Sequence, residues 1–208
     1  MNNRMPGSSS DFERNDSQLF ESLEGKLLVA APNWEDEDFQ HSVCLVVHHG
    51  QDGAVGILLN RHFDLDAKEL WQHLSEGKFE LPADMLHLGG PQSGPVVALH
   101  GCDSLAEFET AEGVYMAAEI ENLKSLLQSA LGDSSAESGL KIIVGQADWE
   151  AGELEGQMQM GAWLPIEPSA EIVFEEQAWM WRKAMAHIGN SFVREITGAL
   201  PTKNCLLN

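Results

Sequence analysis

Two histidines, His49 and His100, one carboxamide, Asn60, and the adjacent glycines Gly89 and Gly90 are the groups of this 208-residue chain whose types could do chemistry together. Histidine titrates near neutral pH and serves as general acid or base, while a carboxamide orients a polar group. Two successive glycines can turn backbone N–H groups toward an anion. Each also has a plainer role. An imidazole satisfies a buried carbonyl, and a glycine pair makes a turn or permits close packing. Nothing in the spacing of the five brings them together by itself, so no residue is assigned a catalytic role. They are candidate binding residues, expected to border one shared surface.

The elements that would position them follow from local patterning. Lys26–Ala31 reads as a buried strand stopped by Pro32, and Asp36–Gln40 as a helical turn with Asp36 as its cap. Ser42–His49 and Ala54–Asn60 are strands joined by Gly50-Gln51-Asp52-Gly53, a hairpin signal. Asp66–Leu74 suits a helix, Met85–Leu88 a short strand ended by Gly89-Gly90-Pro91, and Val96–His100 and Val114–Met116 further strands. Glu119–Leu131 repeats Ile120, Leu123, Leu127 and Ala130 on one face and ends at Gly132, which predicts a helix. Leu140–Gly145 reads as a strand covered on both faces. Glu153–Met160 is a short helix, Ala162–Ile166 and Glu171–Phe174 are strands, and Glu176–Ile188 is a helix stopped at Gly189.

Strands and helices mix without strict alternation. This predicts an α/β (α+β) fold, one compact domain over residues 18–198 with a mixed, partly antiparallel sheet flanked by helices. Residues 1–17, polar and poor in apolar side chains, predict a disordered tail, and residues 199–208 a frayed end.

Acidic residues outnumber basic ones by 33 to 12, a net charge of −21. Such a surface repels phosphate backbones, so no direct nucleic-acid binding is expected. Three dispersed cysteines (Cys44, Cys102 and Cys205) argue against a disulfide framework and for a reducing compartment. The N-terminus lacks the apolar core of a signal peptide, and no apolar run approaches a membrane span. The expected location is the cytoplasm, with no membrane attachment. No dinucleotide fingerprint, Walker loop, nucleophile elbow or zinc spacing occurs. His48 and His49, adjacent on a strand, point to opposite faces and cannot readily share a metal. No metal and no cofactor are expected.

Several blocks in order resemble the AlgH/YqgE family. They are Ala31-Pro32 with Asp36-x-x-Phe39-x-x-Ser42-Val43, then His49-x-x-x-Gly53-Ala54-x-Gly56-Ile57-x-x-Asn60, then Leu88-Gly89-Gly90-Pro91 with Leu99-His100. Gly145-x-Ala147-x-Trp149, Gly152-x-Leu154-Glu155, Ala162-Trp163-Leu164 and Trp181-Arg182 follow. The resemblance implies a compact α/β domain with a distorted, partly barrel-like sheet, and a regulatory role named for one branch of this bacterial family. It implies no catalytic mechanism. The chain departs from the pattern at His48, where Glu is frequent before the strand histidine, and at Gln146, where an aromatic is common. Glu153 and Gln157 exchange the usual Gln and Glu, and the loop between Pro91 and His100 is short.

The reading is therefore a non-catalytic binding or regulatory protein acting on an unidentified protein or small-molecule partner. A hydrolase- or transferase-like enzyme using His49, Asn60 and His100 is one alternative. A transcriptional regulator working through a partner is another.

Overall fold

Side chains alternate along Leu27–Ala30, so Leu27 and Val29 face one way, Leu28 and Ala30 the other, and all four are fully buried. A strand apolar on both faces needs cover on both. The computed structural model describes residues 21–62, 85–132 and 139–198, and there the cover is supplied by helices and aromatic side chains. The strands are β1 (Leu27–Ala30), β2 (Val43–Gly50), β3 (Gly53–Leu58), β4 (Leu86–Leu88) and β5 (Gln92–His100). Then come β6 (Phe108–Ala111), β7 (Val114–Ala117), β8 (Leu140–Trp149) and β9 (Trp163–Ile166). The helices are α1 (Ile120–Gly132), α2 (Glu153–Gln159), α3 (Ala170–Val173) and α4 (Gln177–Thr197).

The strands form one sheet in the order β6-β7-β5-β8-β3-β2-β1-β9, with β4 laid beside β8. Every pairing is antiparallel except β4 with β8. This is the mixed α+β architecture the patterning predicts. Because β6 and β9 stand at opposite ends, the sheet is open and does not close into a barrel.

Strand β8 joins the halves. Its Leu140–Val144 stretch runs between β5 and β4, Gly145 turns through a positive φ of 85°, and Ala147–Trp149 then pairs with β3. Three apolar clusters result. Leu27, Val29, Val43, Leu45, Ile57, Leu99 and Ile143 pack beneath Ile172 and Val173 of α3 and Met180, Ala184 and Ile188 of α4. On the opposite face Leu123, Leu126 and Leu127 of α1 cover Ala98, Ala117, Ile142 and Val144. Also on that face, Phe39, Trp149, Leu154 and Trp163 cover Leu28, Cys44, Val46 and Leu58. Within this last cluster Gln157 Oε1 accepts hydrogen bonds from both Trp149 Nε1 (3.0 Å) and Trp163 Nε1 (2.9 Å). Burial of the indoles is thereby reconciled with their N–H donors.

Three local expectations need correction, and one strand has no counterpart among them. Glu171–Phe174 is not a strand: residues 170–173 form the helical turn α3, whose Ile172 and Val173 are both buried under α4. The β-branched pair suits a strand locally, and tertiary burial decides otherwise. Helix α4 does not stop at Gly189. Nothing crowds that glycine, a glycine inside a helix costs only about 1 kcal/mol, and the helix ends at Gly198, which has φ +61°. Strand β6, half exposed at the sheet edge, carries no clear alternation and escapes sequence patterning. Strand β8 runs four residues past Gly145. The expected helix Asp66–Leu74 and the tails 1–17 and 199–208 lie outside the described residues. Among the described residues no helix is long and apolar enough to cross a membrane.

Candidate functional site

The five residues singled out by type divide between distant places. His49 sits at the end of β2 opposite Ala54, which pairs with Trp149 of β8. His100 ends β5 opposite Leu140 at the other end of β8. Nine strand positions at about 3.3 Å each separate their β8 partners by up to about 30 Å of strand, with the turn at Gly145 between them. Asn60 follows β3, whose antiparallel return carries it to the start of β2, away from His49.

Each of the five has local work. His49 Nδ1 accepts the Leu23 N–H (3.0 Å), and its Nε2 lies 3.2 Å from Glu155 Oε1 on α2. The Glu155 carboxylate is thus the acidic partner of His49. His48 itself is exposed beside Asp52. Asn60 accepts the Val43 N–H (2.9 Å) and donates to the His41 carbonyl (2.8 Å). With Arg61, which donates to Ser42 Oγ and to the carbonyls of Asp38 and Gln40, it latches the turn before β2. Asp36 caps that turn as predicted, accepting the Asp38 and Phe39 N–H groups. Gly89 donates to the Val144 carbonyl and accepts from Leu58 N–H, so its own N–H is not free for an anion. A Cβ on Gly89 would lie 2.1 Å from the Gly145 oxygen, and one on Gly90 2.2 Å from the Gln146 oxygen. Close backbone approach explains both glycines. His100 is buried, with Nδ1 accepting the Cys102 N–H (3.3 Å) and Nε2 without a partner.

A different group converges. In the parallel register His87 of β4 stands opposite Ile143 of β8, so Lys141, two residues earlier, is its diagonal neighbour on the same face. Both are buried, at 1% and 6% exposure. They line a cavity of about 450 Å³ between the sheet and the start of α4, with His62, Phe174, Glu175 and Gln177. That size matches a small-molecule site.

The protonation pattern is set by neighbours. The Gln177 carboxamide nitrogen donates to the Arg61 carbonyl (3.2 Å) and to His87 Nδ1. His87 therefore carries its proton on Nε2, and that buried N–H has no acceptor. Burial first, and the Lys141 charge second, push the His87 pKa down to about 3, so the ring is neutral at pH 7. Lys141 Nζ donates to the Glu175 carbonyl oxygen (3.0 Å) and forms no ion pair among the described residues. Burial pushes its pKa down to about 8. The nearby Glu175 carboxylate is bound by Lys183 at 2.6 Å, and that hydrogen bond holds it below the ordinary carboxylate range.

Two buried residues with unfilled donors therefore line one cavity: the His87 Nε2–H has no acceptor, and the Lys141 ammonium has one backbone carbonyl for its three protons, an arrangement that costs stability unless a ligand completes it. A larger cavity of about 560 Å³ beside the second half of α4 differs. Its Lys26 is paired with Glu167, and no buried unpartnered polar atom lines it. Among the described residues no three His, Cys, Asp or Glu side chains gather as metal ligands. Sequence patterning missed His87 and Lys141. The available signal is a single cation or imidazole inside an otherwise apolar strand, as in Leu140–Gly145.

The chain is similar to a UPF0301 protein of Chlorobaculum tepidum, 29% identical over 83% of this chain and 91% of that one. A UPF0301 protein of Alcanivorax borkumensis is 32% identical over 80% and 89%. Among solved structures, the solution structure of the AlgH protein from Pseudomonas aeruginosa superposes with a TM-score of 0.61 at 24% identity, covering 96% of this chain and all of that one. A Corynebacterium diphtheriae protein superposes at 0.56 with 22% identity, over 81% and 88%. These likenesses establish the fold. A family model described as AlgH-like matches residues 27–193, and the chain belongs to that family.

Proposed function

We propose that this protein is a non-catalytic small-molecule-binding protein, and that the His87–Lys141 cavity takes a small organic anion, best a carboxylate. The observation that carries the reading is that one cavity is lined by two buried residues with donor capacity to spare: the His87 Nε2–H, which has no acceptor, and the Lys141 ammonium, whose three protons have a single backbone carbonyl and no ion pair among the described residues. A carboxylate has two acceptor oxygens and one negative charge, and so completes both. The binding protein works in the cytoplasm, where a reducing environment suits its dispersed cysteines, and a regulatory output would pass through its bound state. Its charge of −21 opposes direct contact with nucleic acid. The His49–Asn60–His100 enzyme gains no support from a register that separates its members.

Acetate and succinate should each raise the melting temperature of the full chain saturably, because a ligand that binds only the folded state stabilises it by mass action. Acetamide, of similar shape and no charge, should not. Lys141→Met should abolish the response. An equal response in the variant, or none in either protein, would remove the proposal.

A further inference from the structure

We infer, building on the anion-binding reading above, that the ligand class is a small oxo acid and that Lys141 captures its carbonyl reversibly as an imine. A site meant only to hold an anion is better served by arginine, which stays charged and offers a planar fork of donors. This cavity uses lysine instead, in the setting that frees an amine. Lys141 is buried, donates only to one backbone carbonyl, and is denied the adjacent carboxylate because Lys183 holds Glu175. Around it stand His62 and His87 from the β4 side and Glu175, Glu176 and Gln177 from the start of α4. Lysines desolvated in this way serve as carbonyl nucleophiles. With its pKa near 8, about one Lys141 in ten is a free amine at pH 7, against fewer than one in a thousand for an ordinary lysine.

The chemistry balances without an oxidant or reductant. The Lys141 Nζ lone pair attacks the carbonyl carbon, forming a C–N bond as the C=O pair moves to oxygen. Two protons leave nitrogen in the course of the step, the oxygen departs as water, and a C=N bond remains. Hydrolysis reverses it. His87 Nε2–H is placed to hold an oxygen of the ligand, since it is a neutral donor on the same face of the sheet.

The test uses the full chain, pyruvate as the probe, and sodium cyanoborohydride to reduce any imine to a stable secondary amine, followed by peptide mapping. Modification at Lys141 should exceed the mean of the other six lysines by about tenfold or more, reflecting its free-amine fraction, and excess acetate should suppress it. Modification spread evenly over the lysines, or none at Lys141, would overturn the imine. If acetate still raised the melting temperature in that case, the anion site would stand without it. An adduct at Lys141 in a protein indifferent to acetate would support the imine and remove the simpler anion reading.

Discussion

Gly89→Ala should destabilise the fold by on the order of 3 kcal/mol or more, the upper range for an overpacked interior. The added Cβ would sit 2.1 Å from the Gly145 carbonyl oxygen and 2.8 Å from the Ile143 side chain. The nearest obstacle is the Gly145 backbone, which no rotamer change relieves. Gly89 donates to Val144 and accepts from Leu58, and moving it loosens the junction where β3, β4 and β8 meet. Gly156, inside α2 with open space around it, provides the control. Gly156→Ala should be neutral or stabilising by roughly 0.5–1 kcal/mol. Urea unfolding of both variants measures the difference. A Gly89→Ala protein of wild-type stability would show that β4 does not approach β8 as described.

Lys141→Met should do the opposite, making the unliganded protein more stable at neutral pH by about 1–3 kcal/mol, since a buried, unpaired ammonium gives way to an apolar chain of similar length. The pH dependence follows from the folded pKa of about 8 against 10.5 in the unfolded chain. Below pH 8 both states hold the proton, and the penalty of burying the charge is complete. Between pH 8 and 10.5 the unfolded state binds more protons, so wild-type stability rises with pH, by up to about 3 kcal/mol. The advantage of the variant should therefore shrink across that window and be gone above it. A gap that stays constant from pH 7 to 10.5, or a variant less stable than wild type at pH 7, would contradict the buried-charge account. A residue whose removal improves stability while ending ligand binding is the signature expected of a site that trades stability for function.

Much of the architecture was legible because it rests on local rules. The Gly50–Gly53 hairpin, the capped turn at Asp36, helix α1 and the two-faced strands all follow from spacing and turn chemistry. What escaped depends on the tertiary arrangement. Helix α3 reads as a strand until α4 covers Ile172 and Val173. The candidate residues were chosen by chemical type, and antiparallel pairing then sends the chain back past its start, which parts Asn60 from His49. The ordered family blocks prove mostly architectural. Asp36, Ser42, Asn60 and Gly89 are consumed in holding turns and strand junctions. His87 and Lys141 meet only because β4 lies parallel to β8, across more than fifty intervening residues, and no local pattern predicts that pairing.

The most direct measurement follows the His87 Nε2–H and Lys141 Nζ resonances of ¹⁵N-labelled protein during titration with acetate. Both should shift saturably with one shared dissociation constant, while the His49 and His100 rings, placed elsewhere on the sheet, stay unchanged. Still resonances at His87 and Lys141, or a response confined to His49 or His100, would contradict the assignment of the site.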